Sequence, residues 1–174
     1  MTEPLPIISL GAGEQSSTMA LMAAAGEIEP MPDAAIFADT QGEPQAVYDW
    51  LDKLTSLLPF PVHVVTAGDL RADFLRALDD PKARRGQPPF AVKHPTTGKA
   101  ARIWRKCTKD YKITPIKRKA RELMQAAGRK RLVQWMGISL DECHRAKPSG
   151  VQYIENRYPL LDLRMTRDDC LAWM

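Results

Sequence analysis

A short glycine-containing segment near the N-terminus is the first place where residue types suggest chemistry. Gly11-Ala12-Gly13-Glu14-Gln15-Ser16-Ser17 follows an apolar run and precedes a helix-like stretch. Small residues let a backbone approach an anion closely, and the unpaired amides at a helix N-terminus point towards that anion. The pattern favours a phosphate cradle to which Ser16, Ser17 and Thr18 add hydroxyl donors. The spacing matches neither G-x-G-x-x-G nor a Walker motif. An ordinary tight turn between a strand and a helix therefore stays an alternative explanation for the same glycines.

Charge is divided unevenly between the two halves of the chain. Residues 1–80 hold 3 Lys and Arg against 13 Asp and Glu, a net charge of −10. Residues 81–174 hold 22 against 8, a net charge of +14. The second half therefore either faces a polyanion, such as nucleic acid or the phosphates of a nucleotide, or pairs with the acidic half within one fold.

Part of this positive charge lies on one predicted helix. Lys117, Arg118 and Arg121 fall off the apolar stripe of that helix, so we expect them to form an exposed basic face. Such a face is either simply solvated or contacts a nucleotide or a nucleic-acid backbone.

Alternating strand and helix patterns must position these residues. Short apolar runs that predict buried strands occupy 7–10, 34–38, 62–65 and 132–138. Helical patterns follow at 19–25, after Pro44, at 70–78, and from Thr114 as N-cap to Gly128. Thr166 and Asp169 form a variant capping box, whereas 79–101 is typical of a long loop. This rhythm predicts an α/β fold with a parallel sheet and helical crossovers.

The length and composition set the class of protein. The chain has 174 residues, of which 44% are hydrophobic and 26% charged, which predicts a single domain over residues 1–174. No apolar run approaches the ~20 residues of a membrane span, and no basic-then-apolar leader opens the chain. The 3 cysteines are widely spaced and form no disulfide framework, so we expect a cytoplasmic protein that does not associate with membranes.

Several motifs together resemble one family. The loop within Ser9–Thr18 is similar to the pyrophosphate-binding (PP) loop of adenine-nucleotide alpha-hydrolase-like proteins. Further matches lie at 37–44, 105–115, 135–138, 155–160 and 167–173. Taken together, these motifs cover nearly the whole chain and resemble the phosphoadenosine phosphosulfate reductase-like family, in its phage and bacterial branch.

The resemblance implies a Rossmann-like sheet of about five parallel strands between helices. ATP or another adenine nucleotide, such as phosphoadenosine phosphosulfate, would lie over the strand ends, with Mg²⁺ as a companion ion. Asp39 would orient the ribose or the metal, while Arg105 and Lys112 offset phosphate charge. The residues implied in phosphate binding are Ser9, Gly11, Ala12, Gly13, Ser16 and Ser17.

The same resemblance implies a PP-loop transferase or ATP pyrophosphatase type of activity, in which an acceptor is activated for sulfur transfer or a related modification. A partner enzyme or a homo-oligomer would belong to this scheme, in the host cytoplasm where the gene is carried by a phage. Two alternatives stay open: a catalytically silent nucleotide-binding module and a nucleic-acid-binding accessory protein.

Three departures from the family pattern change these expectations. Gln15 stands where related ATP pyrophosphatases carry aspartate, and Glu14 adds negative charge, which disfavours Mg²⁺-dependent cleavage. The chain shows no Cys-Gly-Leu-His tail, so we do not expect it to be a true sulfonucleotide reductase. Cys107 and Cys170 match half of a four-cysteine set for an iron–sulfur cluster or zinc. Without the second pair, we expect buried free thiols.

Overall fold

Five strands form an all-parallel sheet in the computed structural model, which describes residues 3–80, 82, 91–102 and 107–174. The strands of the described residues are β1 Leu5–Leu10, β2 Ala34–Asp39, β3 Val62–Thr66, β4 Ala91–Lys93, β5 Ala100–Arg102, β6 Leu132–Met136 and β7 Ile154–Arg157. The sheet has the order β3-β2-β1-β6-β7, which places β1 at its centre. The predicted α/β class, with about five parallel strands flanked by helices, is confirmed.

Six α-helices accompany these strands in the described residues. They are α1 Glu14–Ala24, α2 Gln45–Leu57, α3 Leu70–Asp79, α4 Thr114–Ala126, α5 Pro159–Asp162 and α6 Arg167–Trp173. A π-helical segment, Cys107–Ile113, leads directly into α4, and a 3₁₀ helix covers Leu140–Arg145. None of the helices in the described residues is both long and apolar enough to cross a bilayer.

The structure corrects three predicted boundaries and one segment that was predicted as a loop. Helix α1 begins at Glu14 rather than Met19, so the serines of the loop lie within its first turns. Thr114 is not an N-cap, because the chain is already helical from Cys107. β6 ends at Met136 rather than Ile138. In the segment predicted as a long loop, β4 and β5 pair as an antiparallel hairpin.

The described residues divide into two compact units. The first contains the described parts of 1–37, 44–64 and 118–174, and the second those of 38–43 and 65–117. The single nucleotide-binding domain over 1–174 stays a prediction.

The core of the first unit packs on both faces of the sheet. Ile7 and Ile8 are adjacent on β1 and point to opposite faces, yet both are fully buried. Phe37 on β2 and Trp135 on β6 join Ile8 in one buried hydrophobic cluster. β1 is therefore a central strand covered on both faces, which explains why it is a continuous apolar run without alternation.

The second unit contains a buried polar pair. Tyr111 is fully buried, and its hydroxyl donates a hydrogen bond to the carboxylate of Asp73, 2.5 Å away. Asp73 also accepts from Arg76 at 3.0 Å. Asp69 caps α3 by accepting from the backbone N–H groups of Arg71 and Ala72. The pairing of the tyrosine hydroxyl with a carboxylate satisfies polar groups that would otherwise be costly to bury.

Candidate nucleotide-binding site

The strand order creates a switch point beside the central strand. β1 connects through α1 to β2 on one side, whereas its other neighbour, β6, is followed by β7 on the far side. In open parallel sheets, ligands bind in the crevice outside the carboxyl ends of the strands at such a point. The segments that leave β1 and β6 there are Gly11–Gly13 and Gly137–Ser139.

The loop after β1 turns sharply into α1. Ala12 has a φ of +51°, in the left-handed region, and Gly13 is the N-cap with φ −93° and ψ 171°. Among the described residues, no side chain caps this helix end with a hydrogen bond. The first N–H groups of a helix have no partner within the helix, so this end of α1 can offer N–H donors to an anion.

The hydroxyl of Ser16 braces this loop from inside. It accepts a hydrogen bond from the N–H of Gly11 at 3.2 Å and donates to the carbonyl of Gly13 at 3.1 Å. Ser16 is buried, with a relative exposure of 8%. The two hydrogen bonds of the Ser16 hydroxyl therefore hold the turn between β1 and α1 in place.

Ser17, Thr18 and Ser9 are also held within the protein. Ser17 is fully buried, and its hydroxyl accepts a 2.8 Å hydrogen bond from the indole N–H of Trp50. The hydroxyl of Thr18 donates to the carbonyls of Glu14 and Cys170, at 2.9 and 3.2 Å. Ser9 is half-buried in the middle of the sheet. In the described structure these side chains hold α1 and β1 within the protein.

Gly137 lets α1 approach the end of β6. A Cβ at this position would lie 2.7 Å from Ser16 Cα and 2.8 Å from Ser16 N. These are backbone atoms, which cannot swing away as a flexible side chain can. The N-terminus of α1 is therefore seated against the segment after β6, and only glycine fits between them.

An ion pair neutralises the acidic residue of the loop. The carboxylate of Glu14 accepts a hydrogen bond from the guanidinium of Arg167 at the start of α6. This hydrogen bond holds the pKa of the Glu14 carboxyl below its usual value and raises the pKa of Arg167. The charge that Glu14 brings to the loop is thus matched by a nearby cation.

Gln15 ties the same helix turn to the segment after β6. Its side-chain amide donates to Ser139 Oγ at 3.2 Å and to Glu142 Oε2 at 3.3 Å. Glu142 is itself paired with Arg145. The Gln15 side chain therefore links α1 to the 3₁₀ helix through a neutral amide.

These residues surround an open cleft of about 520 Å³. This volume is in the range of small-molecule sites. Its described lining consists of Ala12, Gly13, Glu14, Gln15, Trp50, Glu142, Arg145, Arg167 and Met174. The cleft combines a helix N-terminus with two arginines, a combination that suits an anion.

Asp39 and Lys112 both belong to the second unit. Asp39 Oδ1 accepts from the N–H of Gln41 at 2.7 Å, an Asx turn that caps the end of β2. The ammonium of Lys112 lies 2.8 Å from Glu43 Oε1, and the hydroxyl of Thr40 donates to the same oxygen at 3.2 Å. Arg105, the third residue implied here, lies outside the described residues.

The cysteines with described side chains do not form a metal centre. Cys170 is a free, fully buried thiol in the core, and burial raises its pKa. Cys143 is free and exposed, whereas the side chain of Cys107 lies outside the description. Within the described residues, no group of three or more His, Cys, Asp or Glu is placed to hold a metal.

The predicted basic helix face is partly exposed. Arg118 and Arg121 are exposed, whereas Lys117 is half-buried and engaged in a contact. The guanidinium of Arg121 lies over the ring of Tyr153, 5.9 Å from its centre. On one side of this helix face, Arg121 therefore lies over an aromatic ring.

Sequence reasoning missed Gly137, Arg145 and Arg167 as residues that shape the cleft. Gly137 lies in one of the motifs that carry the resemblance, but its role depends on the approach of Ser16. Arg167 is 153 residues from its partner Glu14. No short-range pattern in the sequence marks such pairs.

Comparison with known proteins gave no assignment: no protein-family model matches this chain, and no curated protein matches it.

Proposed function

We propose that this protein binds an adenine nucleotide with its phosphates at the N-terminus of α1. The observation that carries the proposal is the coincidence of three features at the switch point between β1 and β6. These are an uncapped helix N-terminus, a glycine-lined turn and a cleft with two arginines. A helix N-terminus supplies both directed N–H donors and partial positive charge to a phosphate.

The electrostatics of the cleft support an anionic ligand. Glu14 and Glu142 are paired with Arg167 and Arg145, so the two acidic side chains of the lining do not stand alone against a phosphate. The Arg167 side chain is 61% exposed and the Arg145 side chain 57%. Both guanidiniums therefore have donors left for a ligand, because each carries five N–H groups.

The choice of an adenine nucleotide rests on the resemblance to the phosphoadenosine phosphosulfate reductase-like family. On this proposal the nucleotide activates an acceptor for sulfur transfer or a related modification in the cytoplasm. A partner enzyme or a second copy of the chain would supply what this chain lacks for that reaction.

The donor set of the cleft suits binding better than metal-dependent cleavage. Mg²⁺ is usually held by one or two carboxylates together with substrate phosphates, and both carboxylates of this cleft are engaged by arginines. Cys170 does not suit an iron–sulfur cluster, since cluster ligands are thiolates and burial raises its pKa. We therefore assign no step to Mg²⁺ or to a cluster.

Nucleotide-dependent stabilisation tests the proposal. A ligand that binds only the folded state at 100 times its Kd adds about 2.7 kcal/mol to the free energy of unfolding. We expect millimolar ATP, AMP or phosphoadenosine phosphosulfate to raise the melting temperature. Arg167→Gln should reduce the shift, whereas Arg164→Gln should not, because this exposed arginine does not line the cleft. Absence of a shift with all three nucleotides would contradict the proposal.

Product release separates an enzyme from a silent binding module. ATP pyrophosphatase-type activity requires pyrophosphate to appear during incubation with ATP, whereas a silent module gives the thermal shift alone. The arrangement of Glu14 and Gln15 favours the silent module as the second candidate, because both carboxylates in the described lining of the cleft are paired with arginines.

A further inference from the structure

A second charged surface lies at the opposite end of the sheet from the proposed nucleotide site. Lys130 and Arg131 immediately precede β6, and Gln152 and Tyr153 immediately precede β7. These four residues line a cleft of about 400 Å³. The surface is thus formed at the amino ends of two neighbouring strands, whereas the proposed nucleotide site lies at the carboxyl ends.

A larger cleft continues this surface along the edge strand β7. It has a volume of about 680 Å³ and shares Arg131 and Gln152 with the smaller cleft. Its lining also includes Lys147. The carbonyl of Lys147 accepts hydrogen bonds from the side chains of Tyr158 and Asn156, and these bonds anchor the segment that carries Lys147. The two clefts are neighbours that share the lining residues Arg131 and Gln152, and they are referred to together below as the β6–β7 groove.

The charge of the β6–β7 groove is predominantly positive. Lys130, Arg131 and Lys147 are basic and exposed, and Glu155 is the acidic residue in the described lining. Glu155 lies 3.5 Å from Arg131, and both side chains are about two-thirds exposed. Ion pairs this exposed contribute little, so Arg131 is available to an external anion.

An aromatic ring lies within this basic surface. Tyr153 lines the smaller cleft, and Arg121 of α4 extends over its ring at 5.9 Å. Arg118 is one turn earlier on the same helix and is exposed. A groove that combines cations with an aromatic ring is typical of single-stranded nucleic-acid sites, where phosphates follow the cations and bases stack on the ring.

We propose that the β6–β7 groove binds a single-stranded nucleic-acid segment, with phosphates on Arg121, Lys130, Arg131 and Lys147 and a base against Tyr153. This activity is separate from nucleotide binding at α1, and each can fail without the other.

Fluorescence anisotropy with labelled 20-nucleotide oligomers tests the proposal. The probes are poly-dT, poly-U and a mixed-sequence DNA duplex, each titrated at several salt concentrations. Four phosphate contacts predict a log–log salt slope of about −3 on single strands, from about −0.7 for each contact. Tighter binding of poly-dT or of poly-U supports the proposal and tells which backbone is preferred. Tighter binding of the duplex overturns it.

Two pairs of variants locate the interface. Lys130→Ala with Arg131→Ala should weaken binding roughly tenfold and flatten the slope by about 1.4. The matched control, Lys53→Ala with Arg164→Ala, removes the same charge outside the groove and should change neither value. Tyr153→Leu should weaken binding about tenfold at an unchanged slope, whereas Tyr153→Phe keeps the ring and should bind as the parent does.

The remaining outcomes also decide the matter. A groove variant that keeps its melting temperature and its nucleotide-induced shift, yet loses the oligomer, supports the proposal. A groove variant that binds as tightly as the parent overturns it. Concentration-dependent self-association that disappears in Lys130→Glu with Arg131→Glu, without any oligomer binding, also overturns it. That result would assign the groove to the acidic half of a second copy, residues 1–80.

Discussion

Replacing Gly137 by alanine tests the close packing of the first turn of α1 against the segment that follows β6. The new Cβ would lie 2.7 Å from Ser16 Cα, whereas carbon atoms in contact prefer about 3.5–4.0 Å. The first turn of α1 would therefore have to move by about 1 Å. Alanine itself adopts the backbone conformation of this residue, because the φ of Gly137 is not in the left-handed region.

The expected loss of stability is the difference between two terms. Overpacking of this kind destabilises the folded state by about 1–3 kcal/mol. Replacing glycine by alanine also lowers the conformational entropy of the unfolded chain, which stabilises the folded state by about 0.4–1 kcal/mol. The midpoints of these two ranges give a net loss of about 1.3 kcal/mol. For a chain of this size, each kcal/mol changes the melting temperature by about 2–4 °C, so Gly137→Ala should melt about 3–5 °C below the parent.

Gly13→Ala is the matched control for that variant. A Cβ at Gly13 meets nothing within 4 Å, and the φ of −93° suits alanine. Its stability should stay within about 1 kcal/mol of the parent. Its nucleotide affinity should still fall about tenfold, because the methyl group stands where the phosphate approaches the helix. Urea unfolding and the thermal shift with ATP measure both values. A Gly137→Ala protein as stable as the parent would refute the packing argument.

Three further predictions follow from single groups. Glu14→Gln should strengthen ATP binding several-fold in a thermal-shift titration, since Arg167 loses its partner and the cleft loses a negative charge. Burial, followed by the charge of Lys119, lowers the pKa of His63. The unfolded chain thus binds more protons below pH 6.5, and the free energy of unfolding should fall between pH 7 and 5 more steeply in the parent than in His63→Gln. Gln134 buries its Oε1 without a partner in the described residues, so Gln134→Met should raise the free energy of unfolding in urea by about 1 kcal/mol.

The sheet was predictable because its central strands are buried on both faces. Runs such as Ala34–Ala38 contain no polar residue, and that pattern is local. β7 was not predicted, since Ile154–Arg157 is a polar edge strand without apolar alternation. The β4–β5 hairpin was missed for a related reason: its strands have three residues each, too few for periodicity to show.

The start of α1 was predicted too late because serine and threonine are typical of helix caps and turns. Here Ser17 and Thr18 are interior helix residues whose hydroxyls reach Trp50 and Cys170. These partners are 33 and 152 residues away in the chain. The side-chain roles at this site are therefore set by tertiary contacts, which a local pattern does not contain.

The two unusual residues of the loop have a common explanation in the structure. An acidic residue beside a phosphate is unfavourable on its own, but Glu14 is paired with Arg167, so its charge is offset within the lining of the cleft. Gln15 keeps the geometry of the same turn through Ser139 and Glu142 without adding charge. Carboxylates at these positions would recruit a metal only if they were free, and here one is paired and the other is replaced by an amide. On the proposed function, a phosphate at this loop would therefore meet the N-terminus of α1 and the two arginines rather than a metal held by these two side chains.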